Sequence, residues 1–194
     1  MTREGQVSQV NDSLIRKKDE MFEQGVVTFG GLHPGYEDYK NEILKLRNAG
    51  IKGIKLHPAF QGTHINDRRY KDMIYEISSA SLISLVHCGE DVGFPGENFA
   101  SVKELLELIN DVRPEKLVLA HMGGWQNWEE VESDLAGAGV WLDTAYSLGP
   151  VVPRDGDENV IAYKYNLSEE QFVSLARKHG TDRVLFATDC PWAN

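Results

Sequence analysis

The chain has 194 residues, a formal net charge of −10 and an isoelectric point near 5.0. This length suits one domain or a large part of one, and the negative charge argues against nucleic acid or an anionic membrane as a partner. Cys88 and Cys190 form no spaced metal or disulfide motif, and neither a signal peptide nor an apolar run of membrane length occurs, so we expect a cytoplasmic protein that acts on a small molecule.

Hydrophobic periodicity predicts helices and strands in strict alternation. Helices are predicted at 7–24, 37–49, 69–80, 102–112, 128–135 and 168–179, the fourth and the last beginning with capping boxes at Ser101 and Ser168. Strands are predicted at 26–32, 51–58, 81–87, 116–120, 139–145 and 183–189. Such alternation indicates an α/β fold with a parallel sheet and right-handed crossovers.

Three of the predicted strands run directly into residues that bind metals. These residues are His87, His121 and Asp189, separated by 34 and then 68 residues, against roughly 31 residues per strand-helix unit in an eight-unit barrel. A lone histidine after an apolar run is ordinarily a hydrogen-bonded core residue, but three strand ends at this spacing favour one shared site. Imidazoles and a carboxylate suit Zn²⁺ or a similar divalent ion, whose affinity should fall below pH about 6.5 as protons compete.

Five segments carry a resemblance to a known family: 50–58, 85–89, 120–124, 140–144 and 184–192. Together they resemble the amidohydrolase superfamily, in the amidohydrolase-related branch that includes aminocarboxymuconate-semialdehyde decarboxylase-like enzymes. The resemblance implies a TIM-barrel-like (β/α)₈ fold in which the strands here are the third to the eighth. It also implies a metal-dependent hydrolase acting on a small carbonyl or carboxylate substrate through a metal-activated water, or alternatively a nonoxidative decarboxylase.

The same resemblance implies roles for individual residues. His87 matches a fifth-strand metal ligand, and His121 matches a sixth-strand histidine that binds metal or polarises the substrate. Asp189 matches an eighth-strand aspartate that binds metal and moves a proton, so His121 and Asp189 are the predicted catalytic residues. Lys55 matches a position where some relatives carry a carbamylated lysine, although an anchor for a substrate carboxylate is the interpretation we favour. His57 is predicted either to contact substrate or to hydrogen-bond within a turn.

The chain also departs from the family pattern. It contains no His-x-His motif, which supplies two ligands from the family's first strand, and the first two strands and the last helix have no counterpart. We therefore expect residues 1–194 to form one incomplete barrel domain with six of eight strands, and a catalytically silent remnant is a further alternative. The gap left by the two missing strands should be filled by the helix at 7–24 or, preferably, by a second copy of the chain in a homo-oligomer. The segment 146–167 is predicted to cover the mouth of the barrel, where the strands end.

Overall fold

The computed structural model describes residues 1–148 and 166–190, and these contain one six-stranded parallel sheet. The strands lie in sequence order, and each pairs in parallel with the next. They are β1 (Gly30–Gly31), β2 (Gly53–Leu56), β3 (Ile83–Val86), β4 (Leu117–Leu119), β5 (Trp141–Asp143) and β6 (Val184–Leu185). All six predicted strands are present and their order is that of a partial barrel, which confirms the predicted fold. Their paired segments are shorter than predicted because the chain leaves the sheet before each apolar run ends.

The helices fall where the periodicity predicts them, with one addition. They are α1 (Val7–Glu23), α2 (Tyr39–Asn48), α3 (Pro58–Gln61), α4 (Arg68–Ser79), α5 (Val102–Val112), α6 (Trp128–Glu130) and α7 (Glu169–His179). A π-helical turn at Val131–Leu135 continues α6, and 3₁₀ turns occupy Glu4–Gln6, His121–Gly123 and Thr181–Arg183. The short α3 was not predicted, because four residues that begin with proline carry no periodic signal. None of the helices in the described part of the chain is both long and apolar enough to cross a bilayer.

The core lies between the outer face of the sheet and the helices. Strand alternation sends Leu56, Val86 and Cys88 to this face, where all three are fully buried. Helix α5 is an example of how the helices complete this core. The capping box of Ser101 and Glu104 fixes the start of the helix, and its buried side chains pack into the core. The remaining large core side chains include Leu46, Ile54, Ile74, Ile77, Leu105, Leu108 and Leu142.

Helix α1 closes the sheet at the β1 edge. The Asn11 side chain is fully buried; its amide nitrogen donates to the Gly31 carbonyl at 3.0 Å, and its oxygen accepts from the Gly31 N–H at 3.0 Å. The same amide group donates to Glu42 at 2.8 Å. One side chain thus satisfies the backbone groups that a neighbouring strand would otherwise pair. On this side the helix fills the gap, while association with a second copy stays a prediction.

Most of the predicted covering segment lies outside the described residues. Its first residues, Tyr146 to Leu148, and its last, Asn166 and Leu167, are described. The Leu167 N–H donates to the Ser147 carbonyl at 3.2 Å, so the two ends of the segment meet beside β5.

Candidate metal and catalytic site

Three histidines lie side by side at the carboxyl ends of neighbouring strands. His57 follows β2, His87 follows β3, and His121 follows β4 after one intervening alanine. The rings of His57 and His87 stack with centroids 4.1 Å apart, and the rings of His87 and His121 meet edge to face at 4.7 Å. His87 and His121 are buried. The parallel sheet therefore brings the two histidines of the predicted site together and adds His57 to them.

The loops after β3 and β4 are tied together by a close backbone contact at Gly89. Trp125 N–H donates to the Cys88 carbonyl at 3.0 Å, and Glu90 N–H donates to the Trp125 carbonyl at 3.2 Å. Gly89 has a φ of +83°, and a Cβ added there would lie 2.2 Å from the Trp125 nitrogen. Only glycine permits both this backbone conformation and this approach. The contact fixes His87 relative to His121.

The hydrogen bonds of His87 and His121 determine which nitrogens carry protons. His121 Nδ1 lies 2.8 Å from the Ala145 carbonyl oxygen, which only accepts, so Nδ1 carries the proton. Burial lowers the pKa of both rings, and the positive charge of Lys55 lowers that of His121 further, so both rings are neutral near pH 7. His121 Nε2 then accepts from His87 Nδ1 at 2.9 Å. His87 Nε2 is then unprotonated and keeps its lone pair, although the Glu90 carbonyl oxygen lies 3.2 Å from it, because the two shorter hydrogen bonds, of 2.8 and 2.9 Å, determine the positions of the ring protons.

That lone pair faces an electron-rich space. The Glu90 carbonyl oxygen lies 3.2 Å from His87 Nε2, and Asp91 Oδ2 lies 3.5 Å from it. The same Asp91 oxygen lies 3.6 Å from His57 Nε2. One donor atom from each of His57, His87 and Asp91 lies within 4.8 Å of the other two. A lone pair beside a carbonyl and a carboxylate is an arrangement that a cation stabilises.

The donor spacing fits a small divalent ion. Two ligands that are each about 2.1 Å from a tetrahedral ion lie roughly 3.4 Å apart, close to the separations of Asp91 from both rings. Burial and the charge of Lys55 lower the pKa of His57 to about 3. Proton competition at these buried rings therefore begins at a lower pH than the 6.5 expected from free imidazole. A cation held by His57 Nε2 would require the ring proton on Nδ1, at the expense of only a long 3.5 Å contact from the Phe60 N–H.

Lys55 supplies positive charge on the concave side of the sheet. It lies beside Leu85 in the β2–β3 pairing and, by strand alternation, on the same face as His57. Burial lowers the pKa of its ammonium group, and the nearby negative charges of Asp143 and Asp189 oppose this shift only in part. A partly desolvated ammonium group beside this candidate metal site is suited to an anionic substrate.

Asp189 lies a few residues beyond β6, which ends at Leu185, and it is exposed, with a φ of +58°. Its negative charge opposes the lowering of the His121 pKa by burial, and it adds to the raising of the Tyr146 pKa, of which burial is the main cause. The three-donor group found among the described residues contains neither His121 nor Asp189. The ligand set of His87, His121 and Asp189, and their catalytic roles, therefore stay predictions.

Sequence reasoning missed Asp91 and Asp143. Asp91 lies in a loop, where its other oxygen accepts from the Gly93 N–H at 2.7 Å; this Asp-x-Gly turn was the only signal available. Asp143 ends β5 and is buried, and its position directly after an apolar strand resembles those of His87 and His121. That position was a usable signal.

An aromatic wall stands next to His57. The Phe60 ring meets the His57 ring edge to face at 4.4 Å and the Phe94 ring at 5.5 Å. Phe94 in turn meets Phe99 at 6.4 Å. Phe60 is 45% exposed, so part of this apolar surface is available to a planar molecule.

Comparison with known proteins supports the architecture. Solved structures that resemble the chain include 2,6-dihydroxybenzoate decarboxylase from Rhizobium, with 13% identity, a TM-score of 0.62, and coverage of 97% of this chain and 67% of that one. Metarhizium anisopliae IDCase in apo form has 17% identity, a TM-score of 0.68, and coverage of 99% and 59%. A dihydroxybenzoic acid decarboxylase from Polaromonas, with bound manganese and the inhibitor 2-nitroresorcinol, has 13% identity, a TM-score of 0.64, and coverage of 98% and 66%.

These identities are low enough that the likeness establishes the fold alone, and the chain spans 59% to 67% of those proteins. No curated protein is significantly similar to the chain in sequence. A family model described as "Amidohydrolase" matches residues 14–194, which is nearly the whole chain. The chain therefore belongs to the amidohydrolase family, as the five sequence segments indicated.

Proposed function

We propose that the chain carries the site of a metal-dependent nonoxidative decarboxylase for a small aromatic carboxylate. The observation that carries the proposal is the donor group of His57, His87 and Asp91 beside Lys55, at the carboxyl ends of parallel strands. Active sites of barrel enzymes lie at this end of the sheet. The resembling structures named above include dihydroxybenzoate decarboxylases, which favours decarboxylation over the hydrolysis we first expected. The aromatic wall at Phe60 and Phe94 supports a planar substrate.

The reaction requires the bond between the carboxylate and its carbon to break. The electron pair stays on the substrate carbon, carbon dioxide leaves, and the carbon takes a proton. A divalent cation, when bound, supplies positive charge that stabilises the negative charge developing on the substrate. Lys55 would attract and orient the anionic substrate, and the proton would reach the carbon through a predicted catalytic residue, Asp189 or His121, which would first have to take that proton from solvent because His121 Nε2 is unprotonated.

The donor set does not select one metal. Two imidazoles and one carboxylate bind zinc, manganese and iron, and selectivity comes from geometry and availability. Zinc was the expectation from the sequence, whereas the Polaromonas structure contains manganese. We propose a divalent cation held by His57, His87 and Asp91, with zinc and manganese as the two to test first.

Metal titration of the purified chain tests the site. We expect one divalent ion per chain by calorimetry, with affinity reduced by about 10- to 100-fold or more in His57→Ala and in Asp91→Asn. His64→Ala is the matched control, because His64 is an exposed histidine paired with Glu104 at 2.7 Å outside the donor group. It should bind metal like the unaltered chain.

The converse result would contradict the assignment. If His57→Ala and Asp91→Asn leave the affinity unchanged while Asp189→Asn abolishes it, the ligands are those predicted from the sequence. The activity is tested separately, by measuring carbon dioxide released from a panel of hydroxylated benzoates by the metal-loaded chain. Release of an alcohol or amine product from esters or amides instead would identify a hydrolase.

A further inference from the structure

His121 is held in an uncommon backbone conformation. Its φ is +60°, and that of Met122, which follows, is +52°. Two consecutive residues with side chains in the left-handed region are unfavourable, and such strain persists only where surrounding contacts determine it. The contacts that hold this turn therefore also set the direction of the His121 ring.

Asp143 makes the contacts that hold the turn. One carboxylate oxygen accepts from the His121 N–H at 3.0 Å and from the Ala145 N–H at 3.0 Å. Its strand, β5, is paired with β4, the strand that leads into His121. The oxygen thus connects the residue that carries the ring to the residue whose carbonyl accepts from ring Nδ1. The Trp128 indole N–H, donating to the His121 carbonyl at 2.9 Å, fixes the other side of the turn.

We propose that Asp143 is a positioning residue that sets the orientation and tautomer of His121 through two backbone N–H groups. By holding His121 and Ala145 together, it keeps the proton on Nδ1 and directs the unprotonated Nε2 towards His87 and the centre of the site. Asp143 itself contacts neither His121 ring nitrogen in this arrangement. Its relevance to proton transfer depends on the proposed function, whereas its control of the tautomer does not.

Nitrogen NMR of the histidine rings in the metal-free protein tests the proposal without an activity assay. In the unaltered chain the His121 signals should be those of a protonated Nδ1 and an unprotonated Nε2. Asp143→Ala removes both hydrogen bonds and should change the ratio of the two tautomers by about tenfold. Asp143→Asn keeps an acceptor oxygen for the two N–H groups and should retain the original tautomer.

Thr144→Val is the matched control. Thr144 is the next residue on the same strand end and is also buried. Its hydroxyl group makes two hydrogen bonds of 2.9 Å with the backbone of Ala187, away from His121. The variant should lose stability while leaving the His121 signals unchanged, which separates positioning from a general loss of stability.

Three outcomes would overturn the proposal. One is an unaltered chain with the proton on Nε2, and another is a folded Asp143→Ala variant with unchanged His121 signals. The third is a change of tautomer in Asp143→Asn, since charge rather than hydrogen-bond geometry would then control the ring. The first and third remain decisive even if Asp143→Ala fails to fold. If the protein proves not to be a decarboxylase, the NMR result still stands.

Discussion

Replacement of Gly89 by alanine tests whether the contact between the loops after β3 and β4 builds the site. The new Cβ would lie 2.2 Å from the Trp125 nitrogen and 2.4 Å from its oxygen, both backbone atoms. A φ of +83° disfavours alanine by about 1 kcal/mol. Relief of the clash costs about 1–3 kcal/mol more and weakens loop hydrogen bonds worth about 1 kcal/mol each. We therefore expect Gly89→Ala to lose roughly 4 kcal/mol of unfolding free energy.

Gly96 provides the control because it shares the conformation but not the contact. Its φ is +80°, and nothing lies within 4 Å of a Cβ added there. Gly96→Ala should therefore lose only about 1 kcal/mol, the backbone part of the effect. The difference of about 3 kcal/mol corresponds to roughly 6–12 °C in melting temperature for a domain of this size.

Thermal and urea denaturation of both variants supply the measurement, and metal titration extends it. Movement of the loop displaces His87 and Asp91, so Gly89→Ala should also weaken metal binding while Gly96→Ala should not. Equal losses of stability in the two variants would refute the reasoning, since the close approach to Trp125 would then contribute nothing.

Two further predictions concern buried polar groups. Asn11→Ala removes the side chain that pairs with Gly31 and should lower the unfolding free energy by about 2–4 kcal/mol in urea denaturation, whereas exposed Asn41→Ala should have almost no effect. Burial lowers the pKa of His179, whose neutral ring lies 3.1 Å from the Val140 carbonyl oxygen. Because its folded pKa lies below the unfolded value of about 6.5, its contribution is complete above that pH and is lost as the pH falls. Between pH 7 and 5 the unfolding free energy should therefore fall less steeply in His179→Gln, and an identical slope would contradict this.

Much of the fold could be predicted because its signals are local and repeated. The helix at 102–112 has a capping box, an apolar stripe and a following proline, and all three agree with the observed α5. The strands lead into the helices with a regular alternation that few architectures share. By contrast, α3 has only four residues and begins at a proline, and the π-helical turn at Val131–Leu135 departs from the 3.6-residue period, so periodicity indicates neither.

The candidate site was only partly predictable for a different reason. Strand ends converge in any parallel barrel, so His87 and His121 could be placed together from spacing alone. Asp91 lies in a loop, and the path of a loop depends on contacts distant in sequence, such as that between Gly89 and Trp125. The direction of each ring nitrogen depends on its hydrogen bonds to backbone carbonyls, which no residue pattern specifies.

The β1 edge shows how a polar residue can mislead an argument from hydropathy. Helix α1 is charged and only moderately amphipathic, which led us to favour a second copy of the chain as the cover for the sheet edge. The structure buries Asn11 completely and uses its amide group as a substitute for a strand. Hydropathy counts such a residue against burial, although an unpaired strand edge requires a group that both donates and accepts. With β1 satisfied in this way, the predicted self-association depends on the β6 side, where Leu185 and Phe186 are 40% and 86% exposed.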